Sequence, residues 1–149
     1  MEITTKSITL FSAIVLTGLS AGLFYAWEFS VIPGTKRLAG QAYIETMQAV
    51  NRAIINPAFM LIFLGALLAQ AVALYLHRGT TAFWLILAAI QIYFLGTILV
   101  TALGNVPLNN ELDTLNLKEL SIQKVNQYRN DYELKWNKLH MIRTVFELI

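Results

Sequence analysis

Three apolar runs divide the chain: residues 8–32, 57–76 and 80–103. The first contains one charge, Glu28, and the other two contain none. A hydrocarbon core of about 30 Å takes about 20 helical residues. Inside lipid the backbone must satisfy its own hydrogen bonds, so each run is predicted to be a transmembrane helix. Lys6 and the small residues of "LSAG" give the first run some likeness to a leader peptide. Its apolar stretch is too long for that and two more spans follow, so it is read as a span.

The segments between the runs carry other periods. Tyr43, Met47, Val50 and Ile54 fall on one helical face, with Glu45, Gln48 and Arg52 on another. This predicts an interfacial amphipathic helix over residues 41–55. "NP" at 56–57 starts the next helix, with Asn56 as N-cap and Pro57 in its first turn. Gly104 is expected to stop the third span. "GNVPLNNEL" after it reads as a turn-rich exit in which Asn105 turns and Asn110 caps. From Leu117 the tail has helical period through Val125, Tyr132, Trp136, Leu139 and Phe146. Most of it is too charged to cross lipid, and only the last ten or so residues turn apolar, where a fourth span would begin. The expected architecture is therefore all-α: a single membrane domain, residues 1–149, with three spans plus a C-terminal helix over 117–149 at the place of a fourth.

Composition agrees. The 149 residues are 56% hydrophobic and 13% charged, against about 25% charged in soluble domains. Net charge is only +2, and no basic run suggests nucleic acid or selective anionic-lipid binding. The absence of cysteine excludes disulfides and thiolate-held metals. Lys6 and Arg78 on one side face Lys36, Arg37 and Arg52 on the other, a margin too small to fix orientation. The cell's inner (cytoplasmic) membrane is the expected location.

Alternation of sides has chemical consequences. It gathers Glu28, the 33–56 connection and the whole tail at one surface. Glu28 lies near the end of its span beside Tyr25 and Trp27, where it either reaches water or pairs with a cation, Arg52 or Arg143. Tyr132, Trp136, His140, Arg143 and Glu147 recur at spacings of four, four, three and four, one helical stripe. The stripe is either interfacial decoration, with Arg143 and Glu147 as a surface pair, or a functional face. Asn51, beside Arg52 in mid-helix, is poorly explained by local structure. His77 and His140 fall at opposite surfaces and cannot share a metal or haem, and no other ligand spacing or phosphate loop is present. Gly18 and Gly22 form a GxxxG that would serve packing within the chain or a homodimer, and Gln70 and Gln91 suit interhelical hydrogen bonds.

Taken together, "GLFYAWEFSVIPG", "MQAVNRAIINP", "GNVPLNNEL" and "WNKLHMIRT" resemble the anthrone oxygenase-like family of small membrane proteins. The resemblance runs from Gly22 to Thr144 and implies a four-helix membrane bundle. Its fungal members are linked to oxidation of anthrones to anthraquinones. It also implies Asn51, Arg52, Asn105, Trp136, His140 and Arg143 as motif positions. The chain departs from the pattern in that the fourth span does not continue beyond "TVFELI".

Two functional expectations follow. In the first, an oxygenase acts without cofactor or metal on an apolar aromatic substrate with an acidic C–H, such as an anthrone or polycyclic phenol. His140 is the general base, and Arg52 or Arg143 stabilises the enolate. Asn51 and Asn105 donate hydrogen bonds, Trp136 stacks on the ring, and Glu28 orients a cation. In the second, the protein is a non-catalytic binder of a lipid or small molecule, or a partner subunit, and its polar cluster satisfies only itself. Without an ionisable group deep in a span, a transporter or channel is disfavoured.

Overall fold

The computed structural model describes residues 3–149, and among them it contains five helices and no strand. α1 runs Thr5–Thr35, α2 Gly40–Ala53, α3 Pro57–Leu76, α4 Thr81–Asp113 and α5 Ile122–Leu148, with a 3-10 turn at Leu117–Glu119. α1, α3 and α4 are long and apolar enough to cross a membrane. Their outer faces leave Phe11, Leu61, Leu68, Trp84, Leu85 and Leu103 more than half exposed. Water does not tolerate an apolar surface of that extent on a monomer, so this is an integral membrane protein.

Local chemistry sets the boundaries. Thr4 and Ser7 cap α1 reciprocally, with the Ser7 N–H donating to Thr4 Oγ1 at 3.2 Å. Asn56 caps α3 as expected, accepting from the Phe59 N–H at 3.0 Å ahead of Pro57. α3 and α4 are joined by a tight turn in which Gly79 adopts φ +80°, a conformation that L side chains rarely reach. The tail helix starts later than its period suggested. The chain is extended at Leu120, and Ser121 caps α5 through the Lys124 N–H at 3.4 Å.

Three stretches wind as π-helix: Trp27–Val31 in α1, and Phe94–Leu99 and Thr101–Asn105 in α4. They explain the main departure from the sequence reading, since α4 does not stop at Gly104 but continues to Asp113. The Val106 N–H reaches back to the Thr101 carbonyl, and Pro107 follows directly, where the wider winding gives its ring room against the preceding turn. Gly104 is a packing residue, because a Cβ there would lie 2.9 Å from Leu139 Cδ1 on α5. Asn105 and Asn110 accordingly sit within the helix, neither as turn nor as cap.

α1 packs along α3, and α5 lies against α1 and the π-helical part of α4, completing a four-helix arrangement. α2 lies across one end. Its Tyr43, Ile44 and Met47 join Leu112, Val125, Tyr132 and Trp136 in a buried core. The Arg129 guanidinium on α5 binds the Leu38 and Lys36 carbonyls, pairs with Glu133 at 3.0 Å and covers the Tyr43 ring. Burial, with Glu133 nearby, pushes the Tyr43 phenol above its ordinary range. Gln70 bonds Thr17 across α1 and α3 at 2.8 Å, as expected of an interhelical amide. Gln91 instead faces outward. Gly18 and Gly22 are exposed, and a Cβ on either would meet nothing within 4 Å, so they do not serve packing within the chain.

Candidate functional site

The stripe on α5 is an interior face. Tyr132, Trp136, His140, Arg143 and Glu147 are each no more than 7% exposed. Arg143 and Glu147 therefore do not form a surface pair. The Glu147 carboxylate accepts from Ser20 Oγ of α1 at 2.8 Å, and no carboxylate oxygen among the described residues lies within 4.0 Å of Arg143.

His140 is held by rings. The Trp136 indole stacks on it at 5.0 Å and 7°, and Phe24 stacks on its other face at 5.5 Å and 5°. Phe63 and then Phe59 extend the column at 6.2 Å and 5.2 Å, and Tyr132 continues it beyond Trp136 at 6.4 Å. Both faces of Trp136 are thus occupied. Contrary to expectation it offers a ligand its edge, not its face.

The hydrogen bonds assign the imidazole's proton. His140 Nε2 lies 3.2 Å from the Phe24 carbonyl, which only accepts, so Nε2 carries the hydrogen. Arg143 Nη2 lies 3.0 Å from Nδ1, and a guanidinium only donates, so Nδ1 holds a lone pair. Glu28 Oε2 is 3.8 Å from Nε2 and has no hydrogen-bond partner. The acid's neighbour is therefore His140, rather than either arginine proposed from sequence. It hangs from the π turn at the end of α1, which carries Trp27 and Glu28 towards α5.

Arg143 also donates to Thr101 Oγ1 at 3.1 Å, and its guanidinium carbon lies 4.8 Å from the Phe24 ring centre and 5.4 Å from that of Trp136. Its Nε has no partner. Arg52 lies elsewhere. Its Nε is 2.6 Å from Asp113 Oδ1, and both side chains are well exposed, at 65% and 43%. The sequence placed the two arginines together; the fold puts one inside and the other at a rim. Asn51 Nδ2 donates to the Tyr132 hydroxyl at 3.2 Å, and Asn105 Nδ2 to the Trp136 carbonyl at 3.4 Å. Asn105 is 1% exposed, and its Oδ1 is unpaired.

These side chains border a cavity of about 440 Å³ between α1, α3, α4 and α5, roofed by α2. That volume suits a ligand of a few fused rings. Phe59, Met60, Phe63 and Ile98 make its apolar wall, while Asn105, Trp136, His140 and Arg143 form the polar one. Arg52, Asn110 and Asp113 lie at the rim, and Asn51 lines the roof.

The sequence profile of a family described as anthrone oxygenase matches residues 47–149. The chain belongs to the anthrone oxygenase family. No curated protein and no solved structure matches it. In this anthrone oxygenase family member the matched segment supplies the second half of the roof helix, the apolar wall and the whole α5 stripe. Phe24, Trp27 and Glu28 come from α1, before it.

Sequence reasoning missed three contributors. Asn109 Oδ1 accepts from both Trp136 Nε1 and the Tyr132 hydroxyl, each at 2.9 Å, and so fixes the ring column. Its spacing of four from Asn105 was a visible sign, concealed by reading that stretch as a turn. Phe24 and Thr101 carried no sign of their own. An apolar ring in an apolar run and a lone threonine acquire meaning only when α5 packs beside them.

Proposed function

We propose that this protein is a multi-pass membrane oxygenase that converts an enolisable, anthrone-like aromatic to its quinone with dioxygen and no cofactor. The observation that carries this reading is Arg143: a buried guanidinium with no carboxylate partner, beside an unprotonated imidazole nitrogen, bordering an apolar cavity. Glu147, one turn along α5, attracts the guanidinium from a distance while bonding Ser20. A buried cation with no anion in contact is costly, and an enolate oxygen in the cavity would supply one.

His140 Nδ1 takes the acidic C–H proton. As the imidazolium forms, its contact with Arg143 turns repulsive, and the guanidinium moves to the enolate oxygen. Glu28, 3.8 Å from Nε2, offsets the new positive charge. The enolate passes one electron to dioxygen, and the radical pair combines in a C–O bond to give a hydroperoxide. Loss of the second hydrogen on that carbon as a proton, with cleavage of the O–O bond, leaves a carbonyl and releases water. One CH2 and one O2 become one C=O and one H2O. Asn105 Oδ1, Asn51 and Trp136 shape the cavity around the ring.

One observation favours a second reading, a non-catalytic binder: both nitrogens of His140 are already engaged. Anthrone consumption with oxygen uptake separates the two, comparing the protein with His140→Ala. The oxygenase reading expects a rate lower by about 10²–10⁴-fold. Equal rates would remove His140 from the mechanism.

A further inference from the structure

The cavity's openings differ in chemistry. On the side between α3 and α4 its lips are Met60 and Leu64 facing Ala102 and Val106, all exposed and none charged. Towards the α2 end, the Arg52–Asp113 ion pair ties α2 to the end of α4 across the rim. The apolar gap lies along two helices suited to span a bilayer. Deep inside, Arg143 Nε and Asn105 Oδ1 are buried without partners.

We propose that the cavity is filled sideways from the bilayer, by a planar weak acid that crosses the lips neutral and ionises against Arg143. A permanent charge would pay heavily to pass an apolar gap in lipid. A molecule with no acidic oxygen would leave the buried guanidinium unmatched. As the ligand's O–H breaks, its proton goes to His140 Nδ1, the same single proton that a keto form would give up from its C–H to reach the same anion, and Arg143 shifts from that nitrogen to the new oxyanion. Planarity follows from the wall. The rings of Trp136, His140, Phe24 and Phe63 stack on one another, so they present edges, and an aromatic edge prefers the face of a flat π system. The inference rests on the same cavity and the same Arg143 as the oxygenase reading, but requires none of its oxygen chemistry.

The test uses the full chain in lipid nanodiscs with the lipid-facing Trp84 replaced (Trp84→Phe) in every sample, so that quenching by 6-bromo-2-naphthol reports Trp27 and Trp136 alone. Saturable quenching is expected, at a rate set by the naphthol-to-lipid ratio rather than by its aqueous concentration. 2-Bromonaphthalene, which lacks the hydroxyl, should bind about tenfold or more weakly, and Arg143→Gln should erase that difference. 6-Bromonaphthalene-2-sulfonate, always charged, should not quench. Ala102→Phe and Val106→Phe, each on an exposed lip, should slow association by about tenfold. Association that follows aqueous concentration, or is as fast in both lip variants as in the parent, would overturn lateral access. Stronger binding of a brominated fatty acid would overturn the planar occupant. Naphthol binding with no anthrone oxidation would leave this inference standing and sink the oxygenase. Oxidation with unaltered association in the lip variants would do the reverse.

Discussion

Arg143 Nη2 donates to His140 Nδ1 at 3.0 Å, so the imidazole is held neutral with its hydrogen on Nε2. In 15N spectra of histidine-labelled protein, the resting His140 should show that tautomer. Arg143→Ala should remove the group that meets the enolate and lower oxygen uptake with anthrone by about 10²–10³-fold. Activity within a few-fold of the parent would assign Arg143 a structural role only.

Ser20 and Glu147 give a stability prediction away from the cavity. Ser20→Ala leaves the buried Glu147 Oε1 without its 2.8 Å donor and should cost about 1–3 kcal/mol. Adding Glu147→Leu should recover most of that loss, because removing both members of a buried pair is far cheaper than removing one. Apparent melting temperatures in detergent read both variants.

Glycines separate by what lies opposite them. A Cβ on Gly96 would overlap the Phe146 ring, so Gly96→Ala should destabilise by about 1–3 kcal/mol. Gly104→Ala meets only the flexible tip of Leu139, at 2.9 Å, and should cost less. Gly18→Ala meets nothing, and its helical preference should leave stability unchanged or raise it by about 0.5–1 kcal/mol. The order of the three melts is the check.

Alkaline pH should unfold the protein through its buried phenols. Tyr43 ionises above its ordinary range in the fold, while an unfolded tyrosine ionises near pH 10. Between those limits the unfolded state loses the proton first. The stabilisation is complete below about pH 10 and declines as pH rises above it. Tyr43→Phe, which retains the ring against Arg129, should flatten that decline in melts taken across the range.

Periodicity and composition made the fold legible because lipid leaves so few choices. The spans, the α2 face and the α5 stripe were all readable from where apolar residues fall. The end of α4 was not. Gly104 and Pro107 together signal a stop only in an α-helix, and π winding admits both. Parity of crossings placed Glu28, Arg52, His140 and Arg143 at one end of the bundle, but it cannot say which of two arginines turns inward. That choice depends on Asp113 at the rim holding Arg52 and on Thr101 within reach of Arg143, both consequences of α4 continuing.

The π turn at Trp27–Val31 has a consequence for how this protein tolerates length changes. Such a turn holds one more residue than the regular spiral, so excising a single residue there would leave an unbroken, better-bonded rod. Because the turn already spreads its extra residue over nearly the same rotation, Pro33 and the strap to α2 would keep their direction to within roughly a tenth of a turn. The side chains of the turn itself would be re-aimed, and Glu28 and Trp27 would lose the positions from which they meet His140 and Trp136. The irregularity acts as an aiming device: the roof tolerates its removal, and the acid and indole held against α5 do not.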